Sequence, residues 1–290
     1  MLVCPTKAEM RALVAGYRRG RRSLSLVPTM GYLHEGHLSL VRLAKQRADR
    51  VIVSVFVNPT QFGPNEDLDT YPRDPDRDLA LLQAEGVDGV FMPTAAEMYG
   101  GMGNTHVEVP ELSGILQGAL RPGHFRGVAT VVAKLLNLIQ PDIAVFGEKD
   151  YQQLILIRQM VRDLDMPVDI LGHPTVREAD GVAMSSRNVR LSDEHRADAP
   201  VLNKALGAAE EAARDGPVVS DLLDLVRSTL ATAESAKVES ADIRDAATLA
   251  ELDGRLERPA VVLLAVRFGA VLLIDQRVVG PVPDDPTGQK

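Results

Sequence analysis

Tryptophan is absent from this chain, and aromatic residues together make up only 4% of it. Proteins that hold single-stranded nucleic acid by stacking use exposed aromatic side chains as platforms for the bases. The formal net charge of −8 points the same way, because binding to a phosphate backbone requires clustered excess Lys and Arg. The composition therefore argues against a nucleic-acid partner, although a few converging cations would still hold a small anionic ligand.

Cysteine is almost absent as well, since Cys4 is the one thiol in the sequence. A single cysteine excludes an internal disulfide and a cysteine-based zinc cluster, and it fits a reducing compartment. The longest apolar run, 260–266, is far too short to span a bilayer. The first residues also lack an apolar stretch of signal-peptide length. We expect a cytoplasmic protein with no membrane partner.

Two widespread phosphate-binding signatures are also missing. The sequence contains no GxxxxGK segment followed by Ser or Thr, and no GxGxxG follows an apolar run. These patterns shape the phosphate loops of P-loop NTPases and of standard dinucleotide dehydrogenases. Both enzyme classes are therefore disfavoured, and any phosphate site must be built in another way.

The first part of the chain alternates short apolar runs with helical patterns. The 290 residues are 45% apolar and 25% charged, as in a globular protein of one large or two modest domains. Alternation of this kind predicts an α/β fold, a Rossmann-like doubly wound parallel sheet with helices on both faces. The predicted strands are 24–28, 51–57, 87–92, 142–146 and 168–171, and the clearest predicted helices are 37–49, 76–85, 126–139 and 150–164.

The composition changes near 172–190, which indicates a second, smaller α+β domain. We therefore expect a Rossmann-like ligand-binding domain at 1–175, a C-terminal α+β domain, a candidate lid, at 176–283 and a disordered tail at 284–290. The predicted elements of the smaller domain are helices at 205–216, 220–235 and 247–254, a strand at 237–245 and two strands within 259–279 that meet at Phe268–Gly269.

Ligands of parallel sheets bind at the carboxyl ends of the strands, so the segments that follow the strands are the first place to look. Residues 28–37, PTMGYLHEGH, follow the first predicted strand. His34 and His37 share one face of the helix start, where free N–H groups and the helix dipole attract anions. Gly36 between them lets a ligand approach the backbone. Two capping or surface histidines remain an alternative, and a zinc site is weaker because no third ligand is evident.

Four further loops carry polar groups, each of which alone would also suit a turn, a helix cap or solvated charge. Amides follow the second strand, a basic cluster at 121–127 begins a helix, a lysine and an acid follow the fourth strand, and hydroxyls and a guanidinium lie in the segment that joins the two parts. Together these groups would hold a polyphosphate and a small polar substrate. The residues concerned are Asn58 and Gln61, then Lys149, Asp150 and Gln153, and then Met184, Ser185, Ser186, Arg187 and Asn188.

Six segments in this order resemble the pantothenate synthetase family, the pantoate–β-alanine ligases, over about residues 26–191. The HxGH element also resembles the wider nucleotidyltransferase superfamily, including class I aminoacyl-tRNA synthetases. The segments are PTMGYLHEGH, NPTQF, YPRD, RPGHFRG, FGEKDYQQL and VREADGVAMSSRN. The fold that this resemblance implies agrees with the α/β prediction, and the domain at 1–175 would bind both nucleotide and pantoate.

The resemblance implies an AMP-forming ligase that makes a carbon–nitrogen bond in pantothenate biosynthesis. The carboxylate of (R)-pantoate would attack the α-phosphorus of ATP, giving pantoyl adenylate and diphosphate. The amine of β-alanine would then displace AMP. The family also implies a homodimer, and Mg²⁺ would be carried mainly by the phosphates, so no metal ligand is assigned in the chain.

The resemblance also implies roles for individual residues. His37 matches the proton donor, and the catalytic set is completed by His34, Lys149 and Arg187. Gln61 and Gln153 would hold pantoate, and Gln61 would also meet β-alanine. The residues that would contact ATP are Met30, Gly31, Tyr32, Leu33, His34, Glu35, Gly36, His37, Gly147, Glu148, Lys149, Asp150, Val176, Met184, Ser185, Ser186 and Arg187.

Two departures and two alternatives accompany this interpretation. Some relatives are more acidic at 75–78 (Pro-Asp-Arg-Asp here), so Arg77 receives no metal role, and Tyr32 stands where small residues are frequent. One alternative is an adenylyltransferase that joins AMP or CMP to a phosphorylated acceptor and needs no amine. The other is a catalytically silent nucleotide-binding module, which predicts ATP binding without turnover.

Overall fold

The computed structural model describes residues 1–64, 66–101 and 104–281, which form two units. The first unit comprises Met1–Val176 together with Met184–Ser186. The second comprises Arg177–Ala183 and the chain from Arg187 onward. Between 176 and 187 the chain thus crosses from one unit to the other more than once, whereas the sequence predicts a single boundary. The predicted disorder at 284–290 falls outside the described residues.

A six-stranded, all-parallel sheet forms the centre of the first unit. Its strands lie in the order β1-β4-β3-β2-β5-β6, and every recorded pairing between neighbours is parallel. Such sheets are covered on both faces, which explains why their strands are apolar without alternation. The strands are β1 (Leu2–Cys4), β2 (Leu24–Thr29), β3 (Arg50–Val55), β4 (Gly89–Phe91), β5 (Ile143–Gly147) and β6 (Asp169–His173).

The helices of the first unit connect these strands. A capping box begins α1, where the Thr6 hydroxyl accepts the Glu9 N–H and the Glu9 carboxylate accepts the Thr6 N–H. Short 3₁₀ turns occupy Pro59–Gln61 and Glu148–Asp150. The helices are α1 (Lys7–Arg19), α2 (Glu35–Arg47), α3 (Pro75–Ala84), α4 (Ala95–Tyr99), α5 (Pro110–Ser113), α6 (Gln117–Leu120), α7 (His124–Ile139) and α8 (Tyr151–Asp163).

The sheet reverses its strand order between β2 and β5. From β2 the chain proceeds outward through β3 and β4, whereas β5 and β6 extend on the opposite side of β2. The crevice at such a reversal, beyond the carboxyl ends of the two strands, is where doubly wound folds bind ligands. The predicted doubly wound α/β fold is confirmed, and the two strands at this reversal end at Thr29 and Gly147, where a ligand site is expected.

The second unit is a small α+β structure, as predicted. Its three antiparallel strands lie in the order β7-β8-β9. One face of this sheet packs against apolar residues of two helices, among them Leu206 and Leu222. The elements are α9 (Asp193–Asp198), α10 (Val201–Ala213), α11 (Val219–Leu230), β7 (Ala236–Asp245), β8 (Ala260–Phe268) and β9 (Val271–Val279), and a 3₁₀ turn spans Asn188–Arg190.

The predicted helix at 247–254 is wrong, because this segment is a turn. The Asp245 carboxylate accepts the N–H groups of Ala247 and Thr248, at 3.0 and 2.9 Å, and also the Thr248 hydroxyl. Leu249 adopts a left-handed φ of 60°. Side-chain acceptors of this kind offer the backbone an alternative to helix hydrogen bonds, so the apolar spacing of 247–254 did not decide its structure.

Within the described ranges, no helix is long and apolar enough to cross a membrane.

Candidate active site

Residues 30–34, here named the nucleotide loop, connect β2 to α2 at the strand-order reversal. Gly31 and Tyr32 have left-handed φ values of 80° and 49°, which turn the chain sharply after the strand. The Gly31 N–H donates to the Thr29 hydroxyl, and this hydroxyl donates to the Ser54 carbonyl on β3. The turn brings the predicted His34–His37 pair to the first turn of α2, beyond the carboxyl end of β2.

His34 and His37 lie against each other at the N-terminus of α2. His34 is the N-cap residue, and the two ring centroids are 4.0 Å apart. The His34 backbone N–H donates to Nδ1 of His37 at 3.3 Å. In the neutral ring of His37 the proton therefore sits on Nε2, which is left as the donor.

Burial lowers the pKa of His37 well below its usual range, and the charges of His34 and Lys149 lower it further. The ring is consequently neutral at pH 7. A neutral imidazole with its proton on Nε2 donates a hydrogen bond to an anionic ligand, while Lys149 supplies the positive charge. Both His34 and Lys149 lie close enough to His37 to lower its pKa, so the structure brings these three predicted residues together.

Gly36 is required by the position of the His34 ring. A Cβ atom at this position would lie 3.0 Å from both Cε1 and Nδ1 of His34, and 3.6 Å from Cβ of Met184. A glycine here therefore lets the imidazole lie over the helix start. It also lets the segment that carries Met184 approach α2.

Lys149 enters from the other strand of the reversal. It lies in the 3₁₀ turn between β5 and α8, and its Nζ is 3.6 Å from Oδ2 of Asp150. The Lys149 side chain is only 20% exposed. A compact, partly shielded cation beside a helix N-terminus suits phosphate oxygens.

Met184–Ser186 return to the first unit and approach the nucleotide loop. The Met184 N–H donates to the Val176 carbonyl at 2.9 Å, and the Ser186 hydroxyl lies 3.4 Å from the Tyr32 carbonyl. Three of the predicted ATP residues, Val176, Met184 and Ser186, are thereby placed with the loop. Arg187 belongs to the second unit, and its role in phosphate binding stays a prediction.

Gln61 lies beside the nucleotide loop, at the end of the 3₁₀ turn after β3. Its side chain is almost fully buried, and its Nε2 donates to the sulfur of Met30 at 3.0 Å. Its Oε1 accepts from Nδ2 of Asn58 at 3.1 Å. The Asn58 oxygen in turn accepts from the hydroxyls of Thr60 and Tyr99 at 2.9 and 2.6 Å. The amide of Gln61 is therefore oriented before any substrate arrives.

The basic cluster at 121–127 supports this turn. The carboxylate of Glu66 pairs with the Arg121 guanidinium at 2.5 Å, and Arg121 also contacts Nε2 of His124 at 3.1 Å. His124 donates through Nδ1 to the Gln61 carbonyl at 2.8 Å. A Cβ at Gly127 would lie only 2.3 Å from the Thr60 carbonyl oxygen. The start of α7 is thus packed directly on the backbone that bears Gln61.

We predict that His124 makes the protein less stable as the pH falls from about 6.5 to about 4. Burial and the Arg121 charge lower the pKa of His124 to about 4, against the opposing effects of Gln61, Glu66 and Asp150. Its pKa in the unfolded chain is about 6.5. Between these values the unfolded chain binds a proton that the folded chain does not, so lowering the pH favours unfolding.

Urea denaturation at several pH values between about 4 and 7.5, a range that includes both pKa values, measures this effect. The control is His124→Asn, which keeps an N–H donor near the Nδ1 position but does not titrate. Its free energy of unfolding should depend less steeply on pH than that of the wild type. Equal slopes for the two proteins would contradict the assignment of a neutral, buried His124.

Gln152 and Gln153 separate into two roles on the first turn of α8. Gln152 is buried and holds the segment before α7, accepting the Gln117 N–H and donating to the carbonyls of Leu112 and Ile115. Gln153 is partly exposed and lies shortly after Lys149 in the chain. Gln152 therefore has a structural role, and the contact of Gln153 with substrate stays a prediction.

Residues to which the sequence assigned no role at the site come from α3 and α4. Asp78 accepts the N–H groups of Tyr32 and Leu33, Arg77 donates to the Leu33 carbonyl, and Tyr99 orients Asn58. A buried acid in an exposed-looking Asp-Arg-Asp segment has no periodic signal, because its partners lie 45 and 46 residues away. The N–H and the carbonyl of Leu33 are both bonded to side chains of α3. Its contact with ATP stays a prediction.

Among residues 1–64, 66–101 and 104–281, no three His, Cys, Asp or Glu side chains come together as a metal site would require.

Comparison with known proteins shows which family this chain resembles. The family model described as pantoate–β-alanine ligase matches residues 2–278. The pantothenate synthetase of Bartonella tribocorum is 52% identical over 96% of this chain and 98% of its own length. That of Pelotomaculum thermopropionicum is 50% identical over 97% and 99% of the two chains.

Solved structures agree with the sequence relatives. The crystal structure of the Thermus thermophilus pantothenate synthetase has a TM-score of 0.92 at 48% identity, covering 97% of this chain and 100% of its own. The Francisella tularensis pantoate–β-alanine ligase, complexed with β-γ ATP and β-alanine, has a TM-score of 0.79 at 34% identity, covering 96% and 97%. The chain belongs to the pantothenate synthetase family, the pantoate–β-alanine ligases.

Proposed function

We propose that this protein condenses (R)-pantoate with β-alanine at the expense of ATP, through a pantoyl-adenylate intermediate. A pantoate carboxylate oxygen attacks the α-phosphorus of MgATP, and the bond to the bridging oxygen breaks to release diphosphate. The neutral amine of β-alanine then attacks the acyl carbon. The acyl–oxygen bond breaks, AMP leaves, and one proton is released as the amide forms. Adenylation is needed because a free carboxylate is a poor acyl donor.

The observation that carries the proposal is the neutral His37 at the N-terminus of α2, close to Lys149. In-line displacement at phosphorus requires mainly positioning and neutralisation of charge. The Nε2–H of His37, the helix N-terminus and the ammonium of Lys149 supply donors and charge for the phosphates. As the negative triphosphate approaches, it favours the protonated form of His37, so the ring can also pass a proton to the leaving diphosphate.

The remaining predicted residues fit around this centre. The hydroxyls of Ser185 and Ser186 and the backbone N–H groups of Glu35 and Gly36 at the start of α2 would hold the triphosphate, with Mg²⁺ arriving on the phosphates as part of the substrate. Glu148 and Asp150 would lie at the nucleoside end. The Francisella relative, whose structure holds an ATP species and β-alanine, supports both as substrates here.

We expect Gln61→Ala to impair pantoate use selectively. The Gln61 amide is held by Asn58 and Met30 in the crevice wall, whereas Lys149 lies in the turn after β5. Loss of the Gln61 amide should raise the KM for pantoate by about tenfold or more, since the substitution removes a polar contact from a buried site. The affinity for MgATP should change by less than about twofold. A parallel loss of ATP affinity would instead indicate a folding defect, and Gln83→Ala on α3 serves as the matched surface control.

Pantoate-dependent exchange of labelled diphosphate into ATP tests the adenylation step by itself. We expect exchange when pantoate and MgATP are present and β-alanine is omitted. An adenylyltransferase for a phosphorylated acceptor would show no exchange with pantoate and would exchange label only when its phosphorylated acceptor is supplied. A silent nucleotide-binding module would bind ATP and show no exchange under either condition.

We also propose a homodimer in the cytoplasm, as the family resemblance implies. The apolar strand β3 is not available for such an interface, because it lies inside the sheet with Val51, Ile52 and Val53 at most 1% exposed. Sedimentation velocity at micromolar concentration would measure the oligomeric state directly.

A further inference from the structure

Asp78 is a buried carboxylate that lies outside the predicted set of ATP residues. It is on the first part of α3 and is only 1% exposed. A carboxylate is costly to bury unless donors meet it. Both oxygens of Asp78 are met by consecutive backbone groups of the nucleotide loop, the N–H of Tyr32 at 2.8 Å and the N–H of Leu33 at 2.7 Å.

The conformation that Asp78 holds is one that the loop would not adopt readily alone. Gly31 and Tyr32 are both left-handed, and a left-handed non-glycine residue costs roughly 1 kcal/mol or more. Such a conformation persists only where its surroundings fix it. Gly31 also leaves room for the acid, since a Cβ there would lie 3.0 Å from Oδ2 of Asp78.

Arg77, next to Asp78 on α3, binds a carbonyl of the same loop, whereas Asp78 binds its N–H groups. Its Nη1 donates to the Leu33 carbonyl at 2.9 Å, and its guanidinium carbon lies 5.5 Å from the centre of the Tyr32 ring. The first turns of α3 therefore bind two N–H groups, one carbonyl and one ring of the loop. His34, the N-cap of α2, is the next residue after these contacts end.

We propose that Asp78 is a positioning residue for adenylation: its carboxylate fixes the nucleotide loop so that the His34–His37 pair and the N-terminus of α2 stand ready for the triphosphate. Asp78 acts through the loop and not on ATP, because both of its oxygens already accept N–H groups of the loop. This inference deepens the proposed function and rests on it. The chemistry it concerns is binding and orientation of the phosphate groups, not recognition of pantoate.

Asp78→Asn is the most direct test, because it keeps the shape and replaces one acceptor oxygen with an amide that cannot accept a loop N–H. We expect the Kd for MgATP to rise about tenfold or more, as for the loss of a hydrogen bond to a charged group. The KM values for pantoate and β-alanine should stay within about twofold. Hydrogen exchange at the Tyr32 and Leu33 amides should become faster.

Asp76→Asn is the matched control, since Asp76 is exposed on the same helix turn and the substitution removes the same charge. A Kd for MgATP within about twofold of this control would overturn the inference. Equal weakening of ATP and pantoate binding, with a lowered melting temperature, would also overturn it by showing a general role in folding.

Gly31→Ala provides a second, independent variant should Asp78→Asn fold poorly. It leaves the acid in place but crowds Oδ2 and strains a left-handed position. It should weaken MgATP binding in the same selective way, and unchanged binding would contradict the inference. The two proposals fail in different measurements. If the wild-type protein makes no pantothenate, the proposed ligase activity is refuted. The role of Asp78 is tested separately, by the Kd for MgATP, which is measured without turnover.

Discussion

His37→Ala should lower the rate of pantoate-dependent adenylation by about 10² or more, the usual scale for one positioned donor or acid at a developing charge. The substitution removes the Nε2–H donor and leaves the His34 backbone N–H without the acceptor seen at 3.3 Å. Single-turnover formation of diphosphate at saturating MgATP and pantoate measures the step. The later reaction of the adenylate with β-alanine does not enter this measurement.

Two further variants make the His37 result specific. His37→Gln places an amide N–H near the position of Nε2 and should recover part of the rate if hydrogen bonding is the main contribution. Its rate should also depend less on pH, because the amide does not titrate. His106→Ala is the matched control at an exposed histidine. Turnover of His37→Ala within a few-fold of this control would contradict the role assigned to His37.

Gly127→Ala should be the most damaging change to the pantoate side of the site. The added Cβ would lie 2.3 Å from the Thr60 carbonyl oxygen, 2.6 Å from its carbon and 2.7 Å from the Gln61 nitrogen. These are backbone atoms, so the clash can be relieved only by moving α7 or the turn that carries Gln61. Overpacking of this kind costs about 1–3 kcal/mol, and the displaced turn should raise the KM for pantoate by about tenfold or more.

Gly16→Ala on α1 is the matched control for Gly127→Ala, because both glycines are helical. A Cβ at Gly16 would meet only a tip atom of Arg19 at 3.9 Å, and alanine favours a helix by about 0.5–1 kcal/mol over glycine. The melting temperature should therefore rise slightly for Gly16→Ala and fall by about 5 °C or more for Gly127→Ala. Similar changes in both variants would show that the close approach of α7 to Thr60 is not important.

The parts of the fold that the sequence predicted are those with a local or periodic signal. The buried strands were recognisable because parallel strands covered on both faces are continuously apolar, as at Val51–Val53. The position of the candidate site was predicted from the rule that ligands lie beyond the carboxyl ends of the strands. By contrast β1, with three residues, and α1, with Met10 and Val14 as its buried residues, carry too little pattern to be found.

The parts that could not be predicted depend on contacts between distant residues. Arg121 looks like an available cation in the sequence, yet it is paired with Glu66, 55 residues away. Asp78 looks like one of several surface acids but is buried against the nucleotide loop. The segment 247–254 has helical apolar spacing, yet the Asp245 carboxylate accepts hydrogen bonds from Ala247 and Thr248 and helps to hold the segment as a turn.

The measurement that tests the account most directly is the release of AMP from MgATP in the presence of pantoate, with and without β-alanine. We predict sustained release of AMP, with an equal amount of pantothenate, only when both substrates are present. Release that does not depend on β-alanine would show that the adenylate has another acceptor. No release by protein that is folded and binds ATP would contradict the proposed ligase and favour a silent nucleotide-binding module.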